Sequence, residues 1–223
     1  MMGDDVTIGR PPTRQKARSE RTRKRLIDVT IACLVKYGYA GTNPLRVAAE
    51  AGVTRGAVLH HFLNGPDLIR ASIIELHEKR LRALGRVTNI DVTQTGTMLR
   101  TYWEQLASPT AIAFQELRGA ARTDEDLAAI LEPLETDYQH RWDDRARHIF
   151  ADWQRDPESF NVAITLAQTV LEGLAVRRQS GVISERTIDL VLTYLEQRLA
   201  ELHPSRHGRA HDILTTYIQG EQR

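Results

Sequence analysis

The sequence predicts an all-α protein, with an N-terminal three-helix head built around a helix-turn-helix and a larger helical body behind it. Three observations carry this expectation. Almost every segment after Gly65 repeats its apolar residues at helical spacing between caps, and none alternates as a strand would. Val47 to Leu63, VAAEAGVTRGAVLHHFL, reads as two short helices joined by a tight turn. Charge is also spread unevenly along the chain. The 223 residues hold 30 Lys and Arg against 29 Asp and Glu, yet residues 1–70 alone hold twelve against six, a net of +6. Residues 71–223 carry a net of −5, so a basic head sits on an acidic body, and only the head suits a polyanion.

Pro11-Pro12 and the lack of apolar periodicity before Leu26 predict a flexible basic arm over residues 1–18. Arg10, Arg14, Lys16 and Arg18 lie in it, and Arg21, Arg23, Lys24 and Arg25 continue the run with Glu20 as the one nearby acid. The head itself is expected over 19–65. Asn43 caps its second helix and Pro44 suits the first helical position. Leu45, Val47, Ala48 and Ala51 form the buried side, with the two alanines letting a neighbouring helix approach. Gly52 falls where a helix end wants a left-handed residue. Val53 plugs the turn and Thr54 caps the third helix, whose opening turns carry Arg55, Gly56, Ala57, Leu59 and His60. Gly56 and Ala57 are small enough to admit a phosphate backbone or a thymine methyl. This is the build of a major-groove reader, and a basic run before it can lie along phosphates. An ordinary pair of packed helices remains the alternative at this point.

The body is expected over 66–204 and a polar tail over 205–223, with one short helix at 212–218. Its helices are read as Asp67 to about Arg86, Asp91–Ala107, Thr110–Ala121, Thr123 to about Trp153 with a kink at Pro133, Ser159–Ser180 and Ser184–Leu202. No stretch reads as a membrane span or a secretory signal, which points to a cytoplasmic protein. Cys33 is the single cysteine and sits among Ile31, Leu34 and Val35, as a small core residue does. Adjacent His60 and His61 point to different sides of a helix and cannot chelate one ion as an i, i+4 pair can. No metal or cofactor is expected. The chain shows no glycine-rich phosphate loop, nucleophile motif or metal-ligand cluster, so an enzyme is not expected.

Residues 20–70 resemble the TetR family of bacterial transcriptional repressors. The resemblance rests on Leu26-Ile27, Tyr37-Gly38-Tyr39, Thr42, Val47-Ala48, Ala51-Gly52-Val53-Thr54, Gly56-Ala57-Val58, His60-His61-Phe62 and Asp67-Leu68. It implies DNA contacts at Arg23, Thr42, Arg46, Thr54, Arg55, Gly56, Ala57, Leu59 and His60. It also implies a homodimer paired through the helices near 159–180 and 184–202, double-stranded operator DNA as partner, and a small, partly apolar effector. Tyr102, Trp103, Phe114, Arg118, Tyr138 and Trp142 would line the effector pocket, with Glu116 and His140 as further polar anchors. Helix 4, shared by head and body, would be the lever that releases DNA. Two positions depart from the family: Leu59 stands where a tyrosine usually touches the DNA backbone, and Gly65 where a lysine usually opens helix 4. Operator affinity is therefore expected to lean on the Arg10–Arg25 run. The rival reading is a helical scaffold for a ligand or protein, with a weakened DNA-reading head.

Overall fold

The computed structural model describes residues 14–87, 95–106 and 108–203, and the regular elements among them are all helical. In chain order they are α1 (Arg14–Tyr37), α2 (Pro44–Ala51), α3 (Arg55–His61), α4 (Gly65–Val87), α5 (Thr95–Leu106), α6 (Pro109–Ala121), α7 (Glu125–Ile149), a 3-10 turn (Ala151–Arg155), α8 (Pro157–Gln179) and α9 (Glu185–Leu202). The chain divides into two compact units, and the division falls inside α4, between Glu75 and Leu76.

In the first unit the local caps form as the residues dictate. Asn43 Oδ1 accepts from the backbone N–H groups of Leu45 and Arg46 at 3.1 and 3.0 Å. Gly52 ends α2 at φ 64°, a conformation glycine adopts without a Cβ penalty. Thr54 Oγ1 accepts from the Ala57 N–H at 3.1 Å to open α3. Asn64 and Asp67 close the start of α4 reciprocally: Asn64 Oδ1 accepts from Asp67 N–H, and Asp67 Oδ2 from Leu63 N–H. Leu26, Leu34, Val47, Ala48, Val58, Phe62 and Leu68 form the core beneath.

Two expectations for this unit need correction. The first helix begins at Arg14 rather than after residue 18, so Arg14, Lys16 and Arg18 belong to a helix and not to a flexible arm. Arg, Lys, Gln and Ala are good helix formers, and the apolar stripe that starts at Leu26 anchors the turns before it. Arg10 and the rest of residues 1–13 lie outside the described residues. Leu45 is 66% exposed. The buried side of α2 centres on Val47, Ala48 and Ala51, and at 100° per residue Leu45 falls about a third of a turn away from it.

In the second unit α5, α8 and α9 share a core of Leu99, Trp103, Leu106, Ala163, Leu171, Leu174, Ile188, Leu192, Leu195 and Leu199. Helix α7 runs through Pro133, forgoing one bond to the Ala129 carbonyl, which lies on an exposed turn. It ends at Ile149 rather than near Trp153. The chain turns there into the 3-10 segment, which buries Trp153 against Phe160 and His203, with ring centroids 5.8 and 5.0 Å apart. By length and composition α8 could cross a membrane, contrary to the sequence reading. Its Ala163, Ala167, Leu171 and Leu174 are instead buried in the α5–α9 core, as in the core helix of a folded unit. The segment expected as a short helix at 212–218 lies outside the described residues.

Candidate functional site

The α3 helix is seven residues long and buries one side chain, Val58. At 100° per residue, Arg55, Gly56, Leu59 and His60 then fall within one arc of about 140° on the opposite side, and all four are exposed. Ala57 sits half-buried at the edge of that arc, and Thr54 is exposed at its start while capping the helix. The exposed face therefore offers a cation, a gap with no side chain, an apolar tip and an imidazole. That combination fits base edges, a close phosphate and thymine methyls.

The remaining candidates of the head are held more firmly. The Arg23 guanidinium lies 4.9 Å from the Phe62 ring centroid, and that of Arg46 4.6 Å from the Tyr37 ring. Stacking on a ring limits where each charge can point. Thr42 is buried, with its hydroxyl donating to the Gly38 carbonyl at 2.7 Å, so the side chain is committed to the turn after α1. Glu50 accepts from the Tyr37 hydroxyl and from Lys36 Nζ. The Tyr37 bond first, and then the Lys36 charge, hold its carboxyl below the ordinary value. Burial, then His60 and Arg23, hold His61 below the ordinary imidazole value, so the ring stands partly withdrawn while His60 is exposed.

Sequence reasoning missed the geometry of the basic run. Arg14, Arg18, Arg21 and Arg25 recur at i, i+4, i+7 and i+11 and share one face of α1. Arg25 leaves this stripe functionally, because its Nη2 donates to the Ala51 carbonyl at 2.8 Å and caps the end of α2.

In the second unit, four of the six expected pocket residues converge. Tyr138 stacks on His77 with ring centroids 4.7 Å apart, and Phe114 meets the same imidazole edge-on at 5.2 Å. The Arg80 guanidinium lies 4.3 Å from the ring centroids of both Phe114 and Tyr138, and that of Arg118 5.1 Å from Phe114. Glu135 joins the cluster electrostatically. Its Oε1 accepts from His77 Nε2 at 3.1 Å and its Oε2 from Arg118 Nη2 at 3.1 Å. Burial raises the Glu135 carboxyl, but the His77 bond and the Arg118 and Arg80 charges outweigh it and leave it below its ordinary value. Burial pushes the Tyr102 phenol up to about 12, with Arg80 and Arg118 opposing.

Two candidates fall elsewhere. Trp103 packs into the α5–α8–α9 core, and Trp142 is partly exposed on α7 and makes no ring contact with the cluster. The anchors Glu116 and His140 are both exposed. His77 and Arg80, which meet the aromatics, and Glu135 and Glu172, which pair with Arg118, were not singled out from the sequence. One clue was available: His77 occupies the i+4 position after Ile73 and the i+8 position after Ile69, so it is a polar residue within an apolar stripe.

An exposed, capped recognition helix in a basic three-helix unit defines a DNA-binding transcriptional regulator of the helix-turn-helix class. Residues 26–71 match the family model for bacterial regulatory proteins, tetR family. The uncharacterized HTH-type transcriptional regulator Rv2912c of Mycobacterium tuberculosis is 29% identical over 194 residues, covering 84% of this chain and 94% of its own. The HTH-type transcriptional regulator TtgR of Pseudomonas putida is 38% identical over 65 residues, covering 29% and 31%. Among solved structures, a putative TetR-family regulator from Rhodococcus sp. superposes with a TM-score of 0.61 at 20% identity, covering 81% of this chain and 99% of that one. The multidrug binding protein EbrR, complexed with imidazole, gives a TM-score of 0.57 at 21% identity, covering 82% and 94%. The N-terminal part of the chain is thus a DNA-binding domain of the type found in bacterial regulators of the TetR family.

Proposed function

We propose that the protein is a cytoplasmic homodimeric repressor whose operator affinity is lowered by a small-molecule effector bound in the body. The observation that carries the DNA-binding part is the exposed arc of Arg55, Gly56, Leu59 and His60 on a helix capped by Thr54, with the Arg14–Arg18–Arg21 stripe in the same unit. Arg23 and Arg46 supply ring-oriented charge to the backbone contacts, and Thr42 contributes through its place in the turn. Dimerisation is supported by the apolar side chains left on α8 and α9: Val162, Leu166, Val176, Leu190 and Tyr194 are each at least 38% exposed. A single short helix reads too few bases for a unique site, and paired half-sites supply the rest. The effector-binding part is supported by the convergence of Tyr102, Phe114, Arg118 and Tyr138 around His77 and Arg80. Because α4 contributes residues to both units, a change in its position is the route by which an effector shifts the population of DNA-competent dimers.

The test has two arms. Selection of bound sequences from a random DNA pool should return two half-sites about one helical turn apart, or a multiple of it. Binding to the selected site should weaken steeply with salt, with a log–log slope near −0.9 for each phosphate neutralised. A monomer in solution, or binding with no sequence preference and a shallow slope, would favour the scaffold reading instead.

A further inference from the structure

The cluster in the body has more hydrogen-bond donors than acceptors. Glu135 Oε1 already accepts from His77, and its Oε2 from Arg118. Arg80 Nη1 lies 3.9 Å from Glu135 Oε1, within ion-pair range but beyond hydrogen-bond reach. That nitrogen is buried and has no hydrogen-bond partner among the described residues. Arg118 Nη1 is bound only loosely, at 3.5 Å from Glu172 Oε2, and Glu172 is the more exposed of the two carboxylates. One half-buried carboxylate therefore serves two hydrogen-bond donors and a third cation at ion-pair range, and the buried edge of Arg80 remains unmet beside the Phe114 ring that Arg118 also faces. An unmet buried donor of a charged group is costly, and an incoming acceptor recovers that cost.

We propose that the effector of this protein is an organic carboxylate with an aromatic or alkyl body, its carboxylate held between Arg80 and Arg118. This rests on the reading of the body as an effector site and adds the chemical class. The carboxylate takes the loose position of Glu172 on Arg118 Nη1 and completes the shell of Arg80 Nη1. Charge-assisted and planar, such contacts match guanidinium geometry. The apolar body of the ligand lies toward Tyr102 and the edge of Phe114. A cationic ligand is disfavoured because the faces it would seek, those of Phe114 and Tyr138, already lie against the Arg80 guanidinium.

The test is calorimetric titration of the full chain, without DNA, at pH 7. The probes are benzoate, 2-naphthoate and octanoate, each beside the primary amide and the primary amine of the same skeleton. The carboxylates should bind more tightly than their amides, and the amines least. Arg80→Gln and, at a more exposed position, Arg118→Gln should each weaken the best carboxylate by about tenfold or more while leaving its amide unchanged. Arg147→Gln, on the outer face of α7, should change nothing, and circular dichroism verifies that each variant is folded. Equal or tighter binding of amides or amines overturns the carboxylate assignment, as does absence of binding in all three series. The parent reading is judged separately, by whether any compound bound by the body alters operator affinity.

Discussion

Arg25 Nη2 donates to the Ala51 carbonyl at 2.8 Å, tying the first helix of the head to the C-terminal end of the second. A cation at that end also meets the negative pole of the α2 dipole. The arginine that looks like one more member of a basic run is thus a brace for the helix that sets the turn. Arg25→Ala should destabilise the protein by about 1 kcal/mol in urea denaturation. Arg18→Gln and Arg21→Gln should stay within about 0.5 kcal/mol of the parent. Operator binding should divide the three the other way: the salt slope falls by about 1 for Arg18 and for Arg21, and stays put for Arg25. A slope change at Arg25 as large as at Arg18 would show that its side chain serves phosphate instead.

Gly56 separates stability from recognition. A Cβ built there meets only Thr54 Oγ1, at 3.8 Å, an ordinary contact, so alanine fits the folded chain. Gly56→Ala should raise stability by about 0.5–1 kcal/mol through helix propensity. The added methyl projects from the exposed arc of α3, so if the proposed reading of that arc holds, operator affinity should drop by about tenfold. Denaturation and fluorescence anisotropy on the same samples check both signs; affinity unchanged alongside higher stability would place the arc away from DNA. Gly52 is the opposite case, since its φ of 64° strains any L side chain. Gly52→Ala should cost about 1 kcal/mol or more with no compensating gain.

Gly65 opens α4 where the family resemblance implies a lysine, and the structure leaves room for a Cβ there. A Cβ at Gly65 would lie 3.6 Å from Pro44 Cδ, within normal van der Waals contact. Gly65→Lys should therefore fold normally, steepen the salt slope by about 1 and tighten operator binding at low salt. Leu59→Tyr should tighten binding with little change in slope, because it adds a neutral contact. Anisotropy titrations across 50–200 mM salt distinguish the two patterns.

The head was legible in the sequence because each of its decisions is local. Asn43, Gly52 and Thr54 specify caps through their own side chains or their own φ, and the structure realises all three. The errors came where a neighbour decides. Leu45 looked apolar and therefore buried, but the face of α2 is set by packing at Val47, Ala48 and Ala51. The start of α1 was misplaced because a charged stretch can still be helical when an apolar stripe follows it. In the body, aromatic spacing located Phe114 and Tyr138, since large rings on amphipathic helices turn inward. Their polar partners depend on which helices meet, and nothing along α4 or α7 alone pairs His77 with Glu135, 58 positions away. Trp103 shows the same limit, since it sits in the α5–α8–α9 core, and its sequence neighbour Tyr102 packs against that core while also feeling the charges of Arg80 and Arg118.

Two groups of the body cluster give stability opposite pH limits. The Glu135 carboxyl titrates below its ordinary value of 4.5, because the His77 bond and the Arg118 and Arg80 charges outweigh its burial. Its contribution is therefore complete above that ordinary value and is lost as pH falls through the lower folded one. At the other limit, burial raises the Tyr102 phenol from 10.0 to about 12. The folded state resists ionising it while the unfolded chain ionises freely, so stability is intact below pH 10 and declines as pH rises toward 12, by about 2–3 kcal/mol at most. Tyr138 is raised by burial too and adds to the alkaline loss. Urea midpoints measured from pH 3 to 6 should fall less steeply on acidification in Glu135→Gln than in the parent. Midpoints from pH 9 to 11 should fall less steeply in Tyr102→Phe, with the Tyr138 share remaining. An alkaline limb unchanged by Tyr102→Phe would mean that the phenol ionises as readily in the folded protein as in the unfolded chain.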